Sequence, residues 1–342
     1  MSTIQGTWKR LASQIEPLRR SSQCLSVIGN SAYVFGGELE PRKPRDRTVY
    51  AIALEATGAS DKDLVRTINA TAAPNPRVGA ASTTLGGKFY CFGGRGGVSM
   101  TCLESSGSLD VFDTTSWSVV SPTLGESFPE DRSYHSMTSD SSSTIYLHAG
   151  CPAKGRLNDL WAFDTTTLKW KQLASAPGGG RGGTSIAFSS SGKLYRVNGF
   201  DGQAEQGGAV DVYDIEDEKW SSIKYKPDGI EGPQSRSVGA LVPIKTSSGS
   251  EMLVTMFGEG SPSDLGHAGA GRMFADVWAF DVSTENWHRV DFQDQQPAPS
   301  PRGWFDADVW TSSDETGDRI IVHGGLHDSN QRLDDVWMLQ IV

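Results

Sequence analysis

The chain has 342 residues, 37% hydrophobic and 21% charged, a balance that supports a continuous apolar core. Its net charge of −10 and pI near 5.1 exclude general affinity for nucleic acid, which needs a basic footprint, but leave room for a local basic pocket. No stretch approaches the roughly 18 to 20 apolar residues of a membrane span, and Met1 to Gln14 holds no apolar leader core. Four cysteines, Cys24, Cys91, Cys102 and Cys151, show no Cys-x-x-Cys spacing, so reduced thiols and a cytoplasmic location are expected.

With 39 glycines and 10 tryptophans, the composition predicts repeated short strands and tight turns. In chain order, Thr7 to Leu11 reads as an outer strand with no blade before it. Tyr33-Val-Phe-Gly-Gly37 then leads to Val49-Tyr-Ala-Ile-Ala53. Next come apolar runs ending in glycine: Tyr90-Cys-Phe-Gly-Gly94, Tyr146-Leu-His-Ala-Gly150, Tyr195-Arg-Val-Asn-Gly199 and Met256-Phe-Gly258. Each precedes a second apolar run ending in aspartate, at Asp113, Asp164, Asp214 and Asp281, and then a tryptophan, Trp117, Trp170, Trp220 or Trp287. In the fifth unit the glycine doublet position reads as Gly258-Glu259. A last unit, Ile320 to Gly325 followed by Val336-Trp-Met-Leu339, stops before its outer strand. Residues 6–12 supply that strand by pairing with the blade near 301–342. The expectation is one all-β domain over residues 1–342, a β-propeller of six four-stranded blades closed by its N-terminal strand.

An apolar strand ending in Gly-Gly, then a spaced aromatic residue and a tryptophan, with a period of roughly 50 residues, resembles the kelch family over essentially the whole chain. The tryptophans are expected to pack between blades.

Antiparallel blade geometry puts the loop entering the innermost strand and the loop joining the second and third strands on the same face. An arginine precedes each innermost strand: Arg20, Arg77, Arg132, Arg181, Arg236 and Arg302. These six either line the mouth of the channel and attract an anion or pair with carboxylates and loop carbonyls to cement the ring. Tyr134, His135, Trp304 and Phe305 at strand starts are candidate pocket walls. The extra chain length on that face lies in Arg95 to Cys102, Cys151 to Arg156 and Glu259 to Gly271.

Within the third of these loops, Glu259, Asp264 and His267 are spaced by glycines that permit a tight fold. Two carboxylates and an imidazole suit Fe(II), with Mn(II) as the other possibility. The same residues serve equally as turn formers and hydrogen-bonding groups. The run Pro262 to Gly271 resembles the corresponding loop of the plant glucosinolate specifier proteins, six-bladed kelch proteins that depend on ferrous iron. The resemblance implies Glu259 and His267 as ligands. It places aspartate four residues after the glutamate, where this chain has Ser263, with Asp264 one further on. It also implies Arg95 and Arg156 as contacts to an anionic sulfate.

The expected function is a metal-dependent lyase or isomerase of specialised metabolism, steering a reactive anionic small molecule. The competing reading is a non-catalytic scaffold that binds a protein on one propeller face; no accessory interaction module is visible beside the blades. A copper radical oxidase is disfavoured, because His323 and His327 flank a Gly-Gly turn and no other paired histidines stand out.

Overall fold

A computed structural model describes residues 4–55, 63–293, 296–311 and 316–341. They form antiparallel sheets, with two short 3-10 turns, Glu16–Leu18 and Gly266–Ala268, as the described helical elements. None of the described helices is long and apolar enough to cross a membrane.

Four sheets run outward in chain order from an inner strand, and an eight-stranded sheet has an inner strand at each end with the N-terminal strand between its two halves. The inner strands are Ser21–Ile28, Ala81–Leu85, Ser136–Ser139, Ser185–Ser189, Ala240–Lys245 and Asp306–Thr311. Each touches the next around a ring, and Asp306–Thr311 touches Ser21–Ile28 to complete it. The N-terminal strand Ile4–Ala12 pairs antiparallel with Val336–Ile341, with Trp8 opposite Leu339. Its first residues also run parallel to Asn286–Phe292. The apolar side chains fill the spaces between sheets. Trp117 lies 4.8 Å from Phe35 of the preceding sheet and 5.2 Å from Phe112 of its own, so it packs between blades.

A cyclic hydrogen bond follows from local sequence. Two residues after each of the six arginines, the backbone turns left-handed: Ser22, Gly79, Tyr134, Gly183, Val238 and Trp304 have φ between 48° and 63°. The amide of each donates to the carbonyl of the previous member at 2.7–2.9 Å, from Ser22 to Trp304 round to Trp304 on Val238. Left-handed φ is strained for Val238 and Trp304, and closing the ring holds it.

The glycine repeat has a matching job. The second glycine of each unit donates its amide to the carbonyl of the arginine in the next unit, as Gly150 does to Arg181 at 2.8 Å and Gly258 to Arg302 at 2.8 Å. This fixes the register of the fifth unit. Its doublet is Phe257-Gly258 and not Gly258-Glu259, so Glu259 is the first residue of the mouth loop. Gly150 has φ 99°, and a Cβ there would lie 2.6 Å from the Cβ of His135. Gly150→Ala is therefore expected to cost about 1–3 kcal/mol, measured as a lower urea midpoint. Gly97→Ala, where a Cβ meets nothing within 4 Å, is the control for left-handed strain alone.

The six arginines are cement. Arg20, Arg132, Arg236 and Arg302 are fully buried and Arg77 nearly so. Each donates through a terminal nitrogen to the carbonyl of the first doublet residue of its own unit, as Arg236 does to Phe257 at 2.8 Å and Arg302 to Gly324 at 3.0 Å. Five also meet a carboxylate: Asp46, Asp110, Asp159, Asp276 and Asp335, at 2.6–3.2 Å. Arg181 keeps the carbonyl, Asn198 at 3.0 Å, but makes no ion pair among the described residues. Ala209 stands in its unit where Asp159 stands in the third. Burial first, then Arg196, pushes its pKa down to about 10. Arg20, Arg77, Arg132, Arg236 and Arg302 are corrected on this ground from mouth residues to residues whose charge is paired inside the ring; Arg181 has the carbonyl contact alone.

Where the last sheet meets the first, two carboxylates replace the hydroxyls used elsewhere. Asp306 accepts from the amide of Leu25 at 2.6 Å and Asp308 from that of Val27 at 2.7 Å. Burial raises their pKa values to about 7 and about 6. The folded chain thus holds protons that the unfolded chain releases near 3.8, and this contribution to stability falls as pH rises from that value to about 7. His135 and His323, held neutral by burial with pKa near 3, act in the opposite sense. The difference between Asp306→Asn and wild type isolates the carboxylate. The variant is expected to gain stability relative to wild type between pH 5 and pH 8, read from urea midpoints. A pH-independent difference would contradict the assignment.

Candidate functional site

The residue after the second glycine of each unit points into one space. Glu38, Arg95, Cys151, Phe200, Glu259 and Leu326 all line a cavity of about 420 Å³. Its floor is Ser22, Tyr134, Gly183, Val238 and Trp304 from the hydrogen-bonded ring. Tyr134 and Trp304 come from opposite sides of that ring, and their rings meet edge to face at 5.3 Å. They form a plug between the mouth cavity and a narrower axial channel of about 190 Å³ below. His135 and Phe305 line that lower channel and not the mouth. His135 is therefore corrected from a mouth residue to a channel residue.

Arg95 and Arg156 differ from the buried arginines. Arg95 Nε donates to Ser133 Oγ at 2.8 Å and a terminal nitrogen to the Pro152 carbonyl at 2.8 Å. These partners are neutral and fix the guanidinium without cancelling its charge. Arg156 lies over the Phe200 ring at 5.0 Å, and its Nε is buried without a hydrogen-bond partner. Neither makes an ion pair among the described residues. Arg42, from the first unit, lines the same cavity. Arg332 also does, but it is held by Glu38 at 2.9 Å. Arg95 is thus fixed by neutral partners, whereas Arg156 acts on the nearby carboxyl groups of Glu205 and Asp201.

Of the proposed metal triad, Glu259 and Asp264 have described side chains. Glu259 is buried and lines the cavity. One of its oxygens accepts from the amide of Gly271 at 2.9 Å, and burial raises its pKa against that bond. Asp264 is exposed and takes no part in the lining, whereas Ser263 does. The side chain of His267 lies outside the described residues. Among the described residues no group of three or more metal-ligating side chains forms. His323 and His327 likewise stay apart: His323 is buried with Nε2 3.0 Å from the Leu18 carbonyl, and His327 sits beside Asp328 at 2.8 Å.

Glu205 escaped the reading of the sequence. Both of its carboxyl oxygens are buried. Burial raises its pKa to about 8; a hydrogen bond with Ser237 pulls it down, Glu259 and Asp201 push it up, and Arg156 pulls it down. No local motif marks Glu205. Arg42, Glu38 and Arg332 were missed as well, although Glu38 follows its glycine doublet as Arg95 follows its own.

Comparison with known proteins bears on the whole chain. It is 27% identical over 363 aligned positions to an N-(sulfonatooxy)prop-2-enimidothioate sulfolyase of Thlaspi arvense, covering 99% of this chain and 98% of that protein. It is 37% identical over 105 residues to mouse Kelch domain-containing protein 1, covering 30% of this chain and 25% of that protein. The solved structure of YjhT superposes with a TM-score of 0.67 at 14% identity, covering 95% of this chain and 98% of that one, a likeness of fold. The model of the KLHDC2/KLHL20/DRC7 Kelch-repeats domain matches residues 22–255. With the repeated glycine clamps and blade sheets already described, this places the chain in the kelch-repeat family.

Proposed function

We propose that the chain is a six-bladed propeller closed by its N-terminal strand, and that its mouth cavity binds an anionic small molecule and promotes a lyase-type step on it. The observation that carries the reading is the contrast between arginines. Five buried ones have carboxylate partners, whereas Arg95 faces the cavity with neutral partners and Arg156, over Phe200, makes no ion pair among the described residues. The sulfolyase of Thlaspi arvense is named for an N-sulfonatooxy imidothioate, which supports as substrate class for this chain a molecule carrying a sulfate ester on nitrogen.

Arg95 and Arg156 hold the sulfate and stabilise it as it leaves with the electron pair of the N–O bond while the carbon substituent of the imidothioate migrates with its bonding pair to the nitrogen. The plug of Tyr134 and Trp304 closes the cavity floor, which keeps competing water from entering through the axis. Glu259 and His267 are the blade-five residues that would hold Fe(II), or Mn(II), and the ion would supply Lewis-acid polarisation when bound. The protein is expected to act in the cytoplasm, its four cysteines free thiols. To test the reading, the purified chain is mixed with an N-sulfonatooxy imidothioate and sulfate release is followed. Release faster than the uncatalysed rate, lost in Arg95→Met/Arg156→Met, supports it. Unchanged release would leave it without support.

A second reading, an interaction scaffold, draws on Val98 and Leu265, whose side chains are exposed at the tips of two mouth loops.

A further inference from the structure

We propose that the mouth cavity has a second anion seat, at Arg42 on its lip, and that its ligand carries two anionic groups, one held near the floor and one at the lip. The proposal rests on the reading of Arg95 and Arg156 as the seat of the first group.

A short hairpin brings Arg42 to the cavity. The strand Ser31–Glu40 runs past its glycine doublet to the mouth and returns as Lys43–Pro44, with Glu38 opposite Pro44 and Glu40 opposite Lys43. Arg42 stands in the turn with a left-handed φ of 61°. Its amide donates to Glu38 Oε2 at 2.7 Å, which ties the turn to a residue of the cavity wall. At about 3.4 Å per strand residue, Glu40 at the end of the strand stands about 7 Å beyond Glu38. Arg95 lies deeper, because its bond to Ser133 at 2.8 Å holds it beside Tyr134 of the floor.

The charges around the hairpin decide what the lip takes. Glu38 is buried, and its other oxygen accepts from Arg332 at 2.9 Å. Arg332 is buried in the same wall, with its Nε lacking a hydrogen-bond partner. The remaining carboxylates of the hairpin are taken as well: Glu40 by Lys43, and Asp46 by Arg20 and Arg45. Arg42 lines the cavity, and its guanidinium makes no ion pair among the described residues. The wall formed by the first and last units therefore carries two guanidinium groups against one carboxylate. Ser21, opposite Glu38 in the strand pairing, lines the same cavity and supplies a hydroxyl donor. A guanidinium fork with a hydroxyl beside it suits an oxyanion, whether carboxylate or sulfate.

The test compares phenyl sulfate with 4-sulfooxybenzoate, an aryl sulfate that carries a carboxylate at the far end of its ring. Both are titrated calorimetrically into the full chain, and circular dichroism follows folding. Wild type is expected to bind 4-sulfooxybenzoate about 5-fold more tightly than phenyl sulfate, the upper end of what an exposed ion pair gives. Arg42→Met should abolish that preference. Arg42→Gly, which suits the left-handed turn, should abolish it too and serves where the methionine variant fails to fold. Lys154→Met controls for charge alone: Lys154 is exposed in a mouth loop and takes no part in the cavity lining, so the preference should survive there. A preference retained in a folded Arg42 variant, or lost in Lys154→Met, would overturn the proposal. Equal affinity of wild type for the two probes would overturn the lip seat and leave the first seat standing. Binding of neither probe to wild type would overturn both, so the two failures are distinguishable.

Discussion

Replacing Arg302 by methionine is expected to lower the free energy of unfolding by about 3–5 kcal/mol. The side chain is fully buried and holds Asp335 through two bonds, at 2.7 and 2.9 Å, besides the Gly324 carbonyl. Burial would push the pKa of Asp335 up, but Arg302 holds it below the usual carboxylate range. Methionine fills the volume and leaves that carboxylate buried without its partner, the costly half of breaking such a pair. Trp337 Nε1, 2.6 Å from the same carboxylate, compensates only in part. Converting Asp335 to leucine in the same chain is expected to recover part of the loss. Arg181→Met should cost less, because Arg181 lacks a carboxylate. Urea denaturation of the four proteins checks the order; a loss below about 1 kcal/mol for Arg302→Met, the scale of an ordinary hydrogen bond, would remove the arginine from the cement of the ring.

The second large effect is functional. Arg95→Met and Arg156→Met are each expected to weaken binding of an organic sulfate ester by about 10- to 100-fold, since a hydrogen bond to a charged group contributes about 1.5–3 kcal/mol. The effect of Arg95→Met on unfolding should be small beside that of Arg302→Met, because the Arg95 side chain is bonded to neutral partners and leaves no buried carboxylate behind. Lysine at Arg95 should restore only part of the affinity. It keeps the charge but loses the planar fork that reaches Ser133 and Pro152 together. Equal losses of stability at Arg95 and Arg302 would mean that Arg95 belongs to the scaffold.

Much of this was legible in the sequence for a mechanical reason. The glycine of each unit and the arginine of the next are two ends of one hydrogen bond, as Gly150 and Arg181 are, so both recur with the period of the fold. Their recurrence also misled. A residue repeated in every unit serves what every unit shares, which is the ring, and the repeated arginines are structural for that reason. The cavity is built from the next position along, where Glu38, Arg95, Cys151, Phe200, Glu259 and Leu326 have nothing in common but place. The register slip at Phe257-Gly258 hid this, because phenylalanine takes a left-handed φ of 54° where glycine was expected. Glu205 was beyond reach, since its burial depends on segments far apart in the chain. Ser263 and Asp264 are adjacent residues that face different surroundings, and a one-residue difference of this kind is decided by loop geometry.

Calorimetric titration of an aryl sulfate into wild type and Arg95→Met/Arg156→Met tests the central claim most directly. Saturable binding by wild type that weakens with added salt, and that disappears in the folded double variant, is the predicted result. Equal binding by both proteins, or none by either, would contradict an anion site at the mouth of this propeller.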